Sequence, residues 1–579
     1  MRRSSAPARR DSDSWIPTTS SARTRWSNAL SVLSWEVLRP HSGVITACAL
    51  IGVGIVLRLA EFLENRSLSR DETFLALNII DRSFRALTRP LDFNQGAPIG
   101  FLEVQKAISV ALGPSDQALR LFPLIGSIIA LVMFFFLARE VVSPLAVPLA
   151  VGLFALIDPL LQYSASDKQY AIDVLMAVTA YWAAIRVGKS DRPGRDFALL
   201  AAIGGSAIWF SHASVFVMAS IFLVLIASAV FRRNSAQLVG AIVATCVWLL
   251  SFGIFALTVL QNLEGIHRSL VQVPGAYSQS DVGSDALDEE GVLRTSLGSF
   301  RYITGVPHVL QVRHLDAGAV LALIATCFAA GGLILVARKS IARAAILGVP
   351  LILMLVAWVF HRYPLLGRTQ LFLVPSYILF LAQGVAGGGT KTRQIWVRTA
   401  LLAIAAAIVV AVATPAIGVA SKFRPQENMK PVLNVLADEE DPRDTLLVYY
   451  TAQYGLRYYL DCRCAGERVE RRRKTGLWPM RPGPGGADQW AQALLSVPPR
   501  LIVVGSPSSA PSDYSRTIKA LKGRKRVWIL LSGSTDVTDF ERRRRLAEFD
   551  RHAVQRAAFQ KGEGNSPAAL YLYDFGTMP

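Results

Sequence analysis

Residues 69–74 read SRDETF and set two carboxylates side by side, Asp71 and Glu72, just after the first long apolar block of the chain. A bilayer penalises buried acids heavily, so such a pair is either well solvated or kept for chemistry. A carboxylate beside a polar substrate accepts a proton as general base or holds a metal. Further polar groups gather at the same ends of other apolar blocks. The stretch LDFNQGAPIGFLEVQK (91–106) carries Asn94 and Gln95 ahead of a turn shaped by Gly96, Pro98 and Gly100. The two amides either hydrogen-bond a polar ligand or cap local backbone. LQYSASDKQYAIDV (161–174) packs together Tyr163, Asp167, Lys168, Gln169, Tyr170 and Asp173, more than interfacial anchoring needs. His212 sits in a tight turn between two blocks, where a lone histidine is more often structural than catalytic. HRYPLLGRTQLFLVP (361–375) adds Arg362, Tyr363 and Arg368. Cations at that depth suit a lipid-linked phosphate, which arginine grips through paired hydrogen bonds.

These groups are carried by a very apolar chain. Of its 579 residues 52% are apolar, and mean hydropathy is +0.37. The apolar residues fall in blocks of about 18 to 25, the length a helix needs to cross a hydrocarbon core. The reading is a polytopic α-helical membrane protein with eleven spans: 42–60, 119–138, 143–162, 170–187, 196–210, 213–231, 237–260, 317–337, 344–360, 370–387 and 399–418. Charge orients them. Arg139, Arg186, Lys189, Arg192, Arg195, Arg232, Arg233, Arg338, Lys339, Arg343, Lys391, Arg393 and Arg398 all fall in loops, or at a span end in the case of Arg186, on the side of the basic N-terminus. The short loops opposite hold only Lys168, Arg362 and Arg368. The positive-inside rule therefore puts the N-terminus in the cytoplasm and, with an odd number of spans, the C-terminal region outside. The net charge of +19 is spent largely on this topology, and nucleic acid is not expected as a partner.

Residues 1–41 read as a disordered basic tail, and the first span as an uncleaved signal-anchor. Two outer loops are long, 61–118 and 261–316. Within the first, 71–86 and 98–112 have the spacing of amphipathic helices lying at the interface. From 420 to 579 strand-length runs LLVYY, LIVVG, VWILL and ALYLYDF alternate with helical stretches, which predicts a small α/β domain. No repeat of fixed period is present. Of the five cysteines, Cys48, Cys246 and Cys327 lie in apolar blocks as fillers. A bridge between Cys462 and Cys464, only two residues apart, would be strained, which favours free or separately paired thiols.

The order SRDETF (69–74), QGAPIGFLEVQK (95–106), SDQALRLFPLIGSI (115–128), YSASDKQYAIDVL (163–175) and YPLLGRTQLFLVP (363–375) resembles the GT-C superfamily of membrane glycosyltransferases. The likeness is to bacterial relatives of protein mannosyltransferases and of the lipid A aminoarabinose transferase. It covers roughly 42–420 well and the remainder loosely, through RVWILL and AALYLYDF. The resemblance implies a GT-C-like transmembrane domain over 42–419 and an enzyme of the cell membrane. Its donor would be a polyprenyl-phosphate sugar, and its acceptor an extracytoplasmic glycan, lipid or protein. It implies Asp71 as the base, with Glu72 adjacent, and transfer with inversion. Lys168, Arg362 and Arg368 would stabilise the departing phosphate. Asn94, Gln95, Tyr163, Asp167, Tyr170, His212 and Tyr363 would face substrate. Many relatives carry a glutamate where this chain has Asp167, one methylene shorter. No cofactor is implied with certainty; some members use a divalent metal, for which Asp71, Glu72 and Asp167 would be the ligands, but no histidine-rich spacing supports one here.

The alternative is a transporter or flippase of lipid-linked sugars. Transporters tend to show repeats and polar residues at the bilayer midplane, whereas here the charges gather at one face. Topology has a direct check. A cysteine placed near residue 500 should react with a membrane-impermeant maleimide on intact cells; reaction only after permeabilisation would put that region inside.

Overall fold

The computed structural model describes residues 35–188, 193–272, 311–391, 428–464, 501–504, 518–532 and 546–576, apart from a few positions within these ranges, and parts of 403–414. The tail 1–34, most of the second long loop and most of the span at 399–418 lie outside the described residues. Helices are α1 (Trp35–Leu63), α2 (Arg70–Asp81), α3 (Phe84–Leu87), α4 (Ile99–Leu112), α5 (Asp116–Val141), α6 (Ala146–Leu156), α7 (Asp158–Gln162), α8 (Tyr170–Val187), α9 (Pro193–Phe210), α10 (Ser214–Phe231) and α11 (Ser235–Gln272). After them come α12 (Ala317–Lys339), α13 (Ile341–Val359), α14 (Val374–Lys391), α15 (Met429–Glu439) and α16 (Ala452–Asp461). Among the described residues eight helices are long and apolar enough to cross a membrane.

Two expected spans differ in form. The block at 143–162 is not one rod: α6 and the segment Asp158–Ala165 meet at 53°. Pro159 contributes to the break, because it has no N–H to give the Ala155 carbonyl four residues back, and Ile157 at the joint is extended. The exposed carbonyls at the end of α6 are capped from another helix. Arg58, wholly buried in α1, donates to the carbonyls of Ala155 at 3.1 Å, Phe154 at 3.4 Å and Gly54 at 3.0 Å, and to Ser127 Oγ at 2.8 Å. A guanidinium at a helix C-terminus satisfies orphan carbonyls and complements the dipole. The block at 196–210 is helical as expected, but its helix α9 opens on Pro193 with Arg195 and Asp196 in the first turn and is not among those eight.

The first long loop, 61–118, is helical where its periodicity predicts. Ser69 caps α2 in a capping box with Glu72, and α2 ends at Asp81, five residues earlier than the expected 71–86, because Ser83 caps the one-turn α3. The C-terminal region forms a five-stranded sheet of β3 (Thr445–Tyr449), β4 (Leu501–Val504), β5 (Val527–Leu531), β6 (Val554–Lys561) and β7 (Ala568–Asp574), in the order β4-β3-β5-β7-β6; a small hairpin, β1 (Gln311–Val312) with β2 (Leu315–Asp316), precedes it in the chain. The β3–β4 and β3–β5 pairs are parallel, and β7 is antiparallel to both neighbours. Alternation along β3 sends Leu446 and Val448 into the core shared with α2, α15 and α16, and Leu447 into the opposite one with Ile518 and Phe549. Strand β6 was not read from sequence, since VQRAAFQK lacks a strong strand pattern.

Cys462 and Cys464 are joined by a disulfide, against the expectation of separate thiols. The chain turns at the end of α16 and brings the two Cα atoms to 5.2 Å, within the ordinary bridging distance.

Helix α14, which follows the turn carrying Arg368, is held by close contact with α12. A Cβ at Gly384 would strike the Phe328 carbonyl, and one at Gly332 that of Phe380. Small residues let membrane helices approach this way. Gly384→Val should therefore destabilise by about 1–3 kcal/mol, the range for overpacking. A melting midpoint in detergent equal to that of the wild type would contradict this packing.

Candidate active site

The two acids of SRDETF lie on one helical turn yet face different surroundings. Glu72 is buried, 3% exposed, and ion-paired with Arg120 of α5 at 3.3 Å. Its carboxylate also accepts from the Ser69 backbone at 2.9 Å and the Asp167 backbone at 3.0 Å. Arg120 spends its remaining donors on the carbonyls of Arg66 at 2.6 Å and Ser67 at 3.2 Å. Burial would raise the Glu72 pKa, but Arg120, Arg66 and the backbone donors outweigh it and hold the group down at about 2. Glu72 thus faces neither water nor the surface; it staples α2 to α5 and to the 163–169 loop.

Asp71 is half-buried on the other side of the turn. Lys168 Nζ stands 3.1 Å from one carboxylate oxygen and Arg368 Nη1 2.6 Å from the other, while Gln95 Nε2 donates at 3.3 Å. Gln95 also accepts from Lys168 Nζ at 2.7 Å, closing a ring of three side chains around the acid. Burial opposes ionisation of Asp71, yet the two cations prevail and lower its pKa below the ordinary aspartate value. Lys168 is held below the usual lysine range by burial, against the pull of Asp71. Two adjacent pairs are therefore in register: Glu72 meets the backbone of Asp167, and Asp71 meets the side chain of Lys168.

The other sequence candidates take varied places. Asp167 is fully buried and accepts from Gln105 Nε2 at 2.6 Å. Burial and the neighbouring Glu72 push its pKa up to about 8. Tyr170 lies under the Arg368 guanidinium, 5.9 Å from it, and meets Tyr163 edge-on at 5.0 Å. Those two tyrosines line a cavity with Arg58, Ser127 and Leu371. Tyr363 donates to the Thr369 carbonyl at 3.0 Å, pinning the turn that presents Arg368, and burial raises its pKa. His212 is exposed and packs against Phe255, at 5.8 Å between ring centres. Arg362 is exposed and makes no side-chain hydrogen bond or ion pair among the described residues. Asn94 forms part of a short 3-10 turn, Asp92–Asn94; its side chain lies outside the described residues.

Sequence reasoning passed over Arg58, Arg120, Gln105 and Asp116. Arg58 and Arg120 did carry a signal, since a charge inside an apolar block is costly and demands a partner. Gln105 and Asp116 offered none beyond their polarity.

Among the described residues no group of three or more His, Cys, Asp or Glu side chains is placed to hold a metal. The three acids do not converge on one point: Asp71 faces Lys168, Arg368 and Gln95, Glu72 faces Arg120, and Asp167 faces Gln105 with one of its oxygens.

Residues 98–252 match the family model described as dolichyl-phosphate-mannose-protein mannosyltransferase. Comparison with curated proteins gives no match. Among solved structures the chain is similar to an oligosaccharyltransferase of Archaeoglobus fulgidus in complex with zinc and sulfate, at 13% identity and TM-score 0.44, over 71% of this chain and 61% of that one. It is similar to AglB of the same organism, in complex with an inhibitory peptide and a dolichol-phosphate, at 12% identity and TM-score 0.48, over 86% and 70%. It is also similar to ArnT from Cupriavidus metallidurans bound to undecaprenyl phosphate, at 14% identity and TM-score 0.43, over 91% and 97%. The chain spans about six tenths of the length of the first of these.

The division between the acids is measurable. Glu72→Gln leaves Arg120 buried without its counter-charge and should destabilise by about 3–5 kcal/mol, the cost of breaking a buried pair. Because the Glu72 pKa is depressed, this contribution is present above the ordinary glutamate pKa and lost as the pH falls through about 2. Asp167→Asn removes a carboxyl whose charge burial already disfavours and should lower the melting midpoint less than Glu72→Gln does. The reverse ranking in thermal unfolding would overturn both assignments.

Proposed function

We propose that this chain is a membrane glycosyltransferase of the GT-C kind and moves a sugar from a polyprenyl-phosphate donor to a hydroxyl of an extracytoplasmic glycan, lipid or protein. The observation that carries the reading is Asp71 held between Lys168 and Arg368 on a half-buried face, a carboxylate and two cations within hydrogen-bonding reach. The family-model match over residues 98–252 supports it.

In this reading the two cations are the donor phosphate's seat, occupied by Asp71 until the donor arrives. The phosphate, carrying more charge than a carboxylate, draws Lys168 and Arg368 to itself, with Arg362 joining from the neighbouring turn. Asp71 is then relieved of its counter-charges, and its basicity rises at the moment a base is needed. The acceptor oxygen forms its bond to the anomeric carbon and gives its proton to Asp71. The bond from that carbon to the phosphate oxygen breaks, and polyprenyl phosphate departs with the electron pair. Attack opposite the leaving group inverts the anomeric centre. Lys168 and Arg368 hold the charge that develops on the phosphate. Donor must bind before acceptor in this scheme. Asn94, Tyr163, Tyr170, His212 and Tyr363 are proposed to line the substrate surface, in a cell membrane with the N-terminus cytoplasmic and the C-terminal domain outside.

Arg368→Ala should lower kcat/KM for the donor by about 10²–10³, typical of losing one preorganised donor at a developing charge. Mass spectrometry of envelope glycans from a deletion strain and its parent should show one sugar missing, restored by the wild-type gene. Identical envelopes, with donor kinetics unchanged in Arg368→Ala, would sink the reading.

A further inference from the structure

The loop that delivers Gln95 to Asp71 contains a strained residue. Phe93 has φ 61° and ψ 30°, the left-handed region that a bulky side chain rarely enters. The strain is held by an aromatic cluster. The Phe93 ring stacks on Phe74 of α2 at 5.0 Å and meets Tyr454 edge-on at 5.1 Å, and Tyr454 meets Phe74 at 4.8 Å. Tyr454 belongs to α16, in the C-terminal domain, and is 6% exposed. Two residues after Phe93, Gln95 bonds both Asp71 and Lys168 and also the Phe93 carbonyl, at 3.3 Å.

The same domain grips α2 at both ends. Before its first turn Tyr459 Oη accepts from the Leu68 backbone at 2.7 Å and donates to Asp116 at 3.0 Å, and Lys430 reaches Asp116 at 2.6 Å. At the last residue of α2, Arg457 pairs with Asp81 at 2.6 Å. A domain merely tethered beyond the membrane would have no call for contacts that bracket one short helix and clamp its neighbouring loop.

We infer that the C-terminal domain is a working part of the active centre: Tyr454 is a positioning residue that, through Phe93, seats Gln95 against Asp71 and Lys168. The inference rests on the glycosyltransferase reading above and adds to it a task for residues 428–464. Asn78 pins the Asp92 backbone and Phe74 backs one face of the Phe93 ring; when Tyr454 no longer closes the cluster, the loop relaxes toward negative φ and Gln95 leaves the ring of side chains.

The test measures transfer of labelled hexose from polyprenyl-phosphate hexose to endogenous acceptors, in membranes of a deletion strain carrying each full-length variant. Tyr454→Ala is expected to lower kcat at least tenfold with little change in donor KM, and Tyr454→Phe, which keeps the ring, to recover most of the rate. In a Gln95→Ala background, Tyr454→Ala should add little further loss, since residues acting through one another are non-additive. Phe93→Gly covers the case in which Tyr454→Ala inserts poorly: glycine adopts the left-handed conformation freely, so the backbone is eased while the anchor is lost, and kcat should again fall. Full activity in both Tyr454→Ala and Phe93→Gly, or strictly additive losses with Gln95→Ala, would overturn the inference. Failure of the underlying reading looks different, because the wild type itself would then transfer no sugar, or Asp71→Asn would transfer as well as the wild type.

Discussion

The buried pair of Glu72 and Arg120 is the constraint on which the site depends. A carboxylate and a guanidinium taken out of water are tolerated only when nearly every hydrogen-bonding group on both is met. Here that demand ties together the start of α2, the carbonyls of Arg66 and Ser67, the second turn of α5 and the backbone of Asp167. Once those are fixed, the neighbours have little freedom: Asp71 must emerge about 100° round α2 from Glu72, and Lys168 must follow Asp167 toward it. A surface ion pair of the same length would not impose this, because solvent would satisfy either partner in other arrangements.

The same logic separates the two acids by role. Burial with a full set of donors leaves Glu72 ionised but committed, with no oxygen facing a substrate. Asp71 is also ionised, but it is half-exposed and its partners are two cations and one amide, the groups proposed to turn toward a phosphate. Support for this arrangement comes from two directions. Arg58 caps the broken α6 and thereby steadies the segment leading to Lys168, while α16 of the C-terminal domain brackets α2. The C-terminal domain thus continues the architecture of the site instead of hanging from it.

Much of this was legible in the sequence, and for physical reasons. Apolar blocks of membrane-spanning length mark most helices, because lipid leaves no other way to satisfy the backbone. SRDETF carries its own capping box, Ser69 with Glu72, so the position of α2 was written locally even though the role of Glu72 as a cap and staple was not recognised. Lys168 and Arg368 stood out as charges where few are allowed. What could not be read was pairing at a distance. Nothing local says that Asp71 meets Arg368, 297 residues on, or that Asp167 turns inward to Gln105. The left-handed Phe93 was equally hidden, since its conformation is imposed by Phe74 and a tyrosine from another domain. The break at Ile157 was signalled by Pro159, but the span length masked it.

The central claim is that Asp71 acts chemically while Glu72 holds the frame. It is tested most directly by measuring sugar transfer and melting midpoint together for purified Asp71→Asn. The account predicts a rate reduced by about 10²–10⁴, as expected for loss of a general base, with insertion and thermal stability close to those of the wild type. Transfer at the wild-type rate by that variant would contradict it.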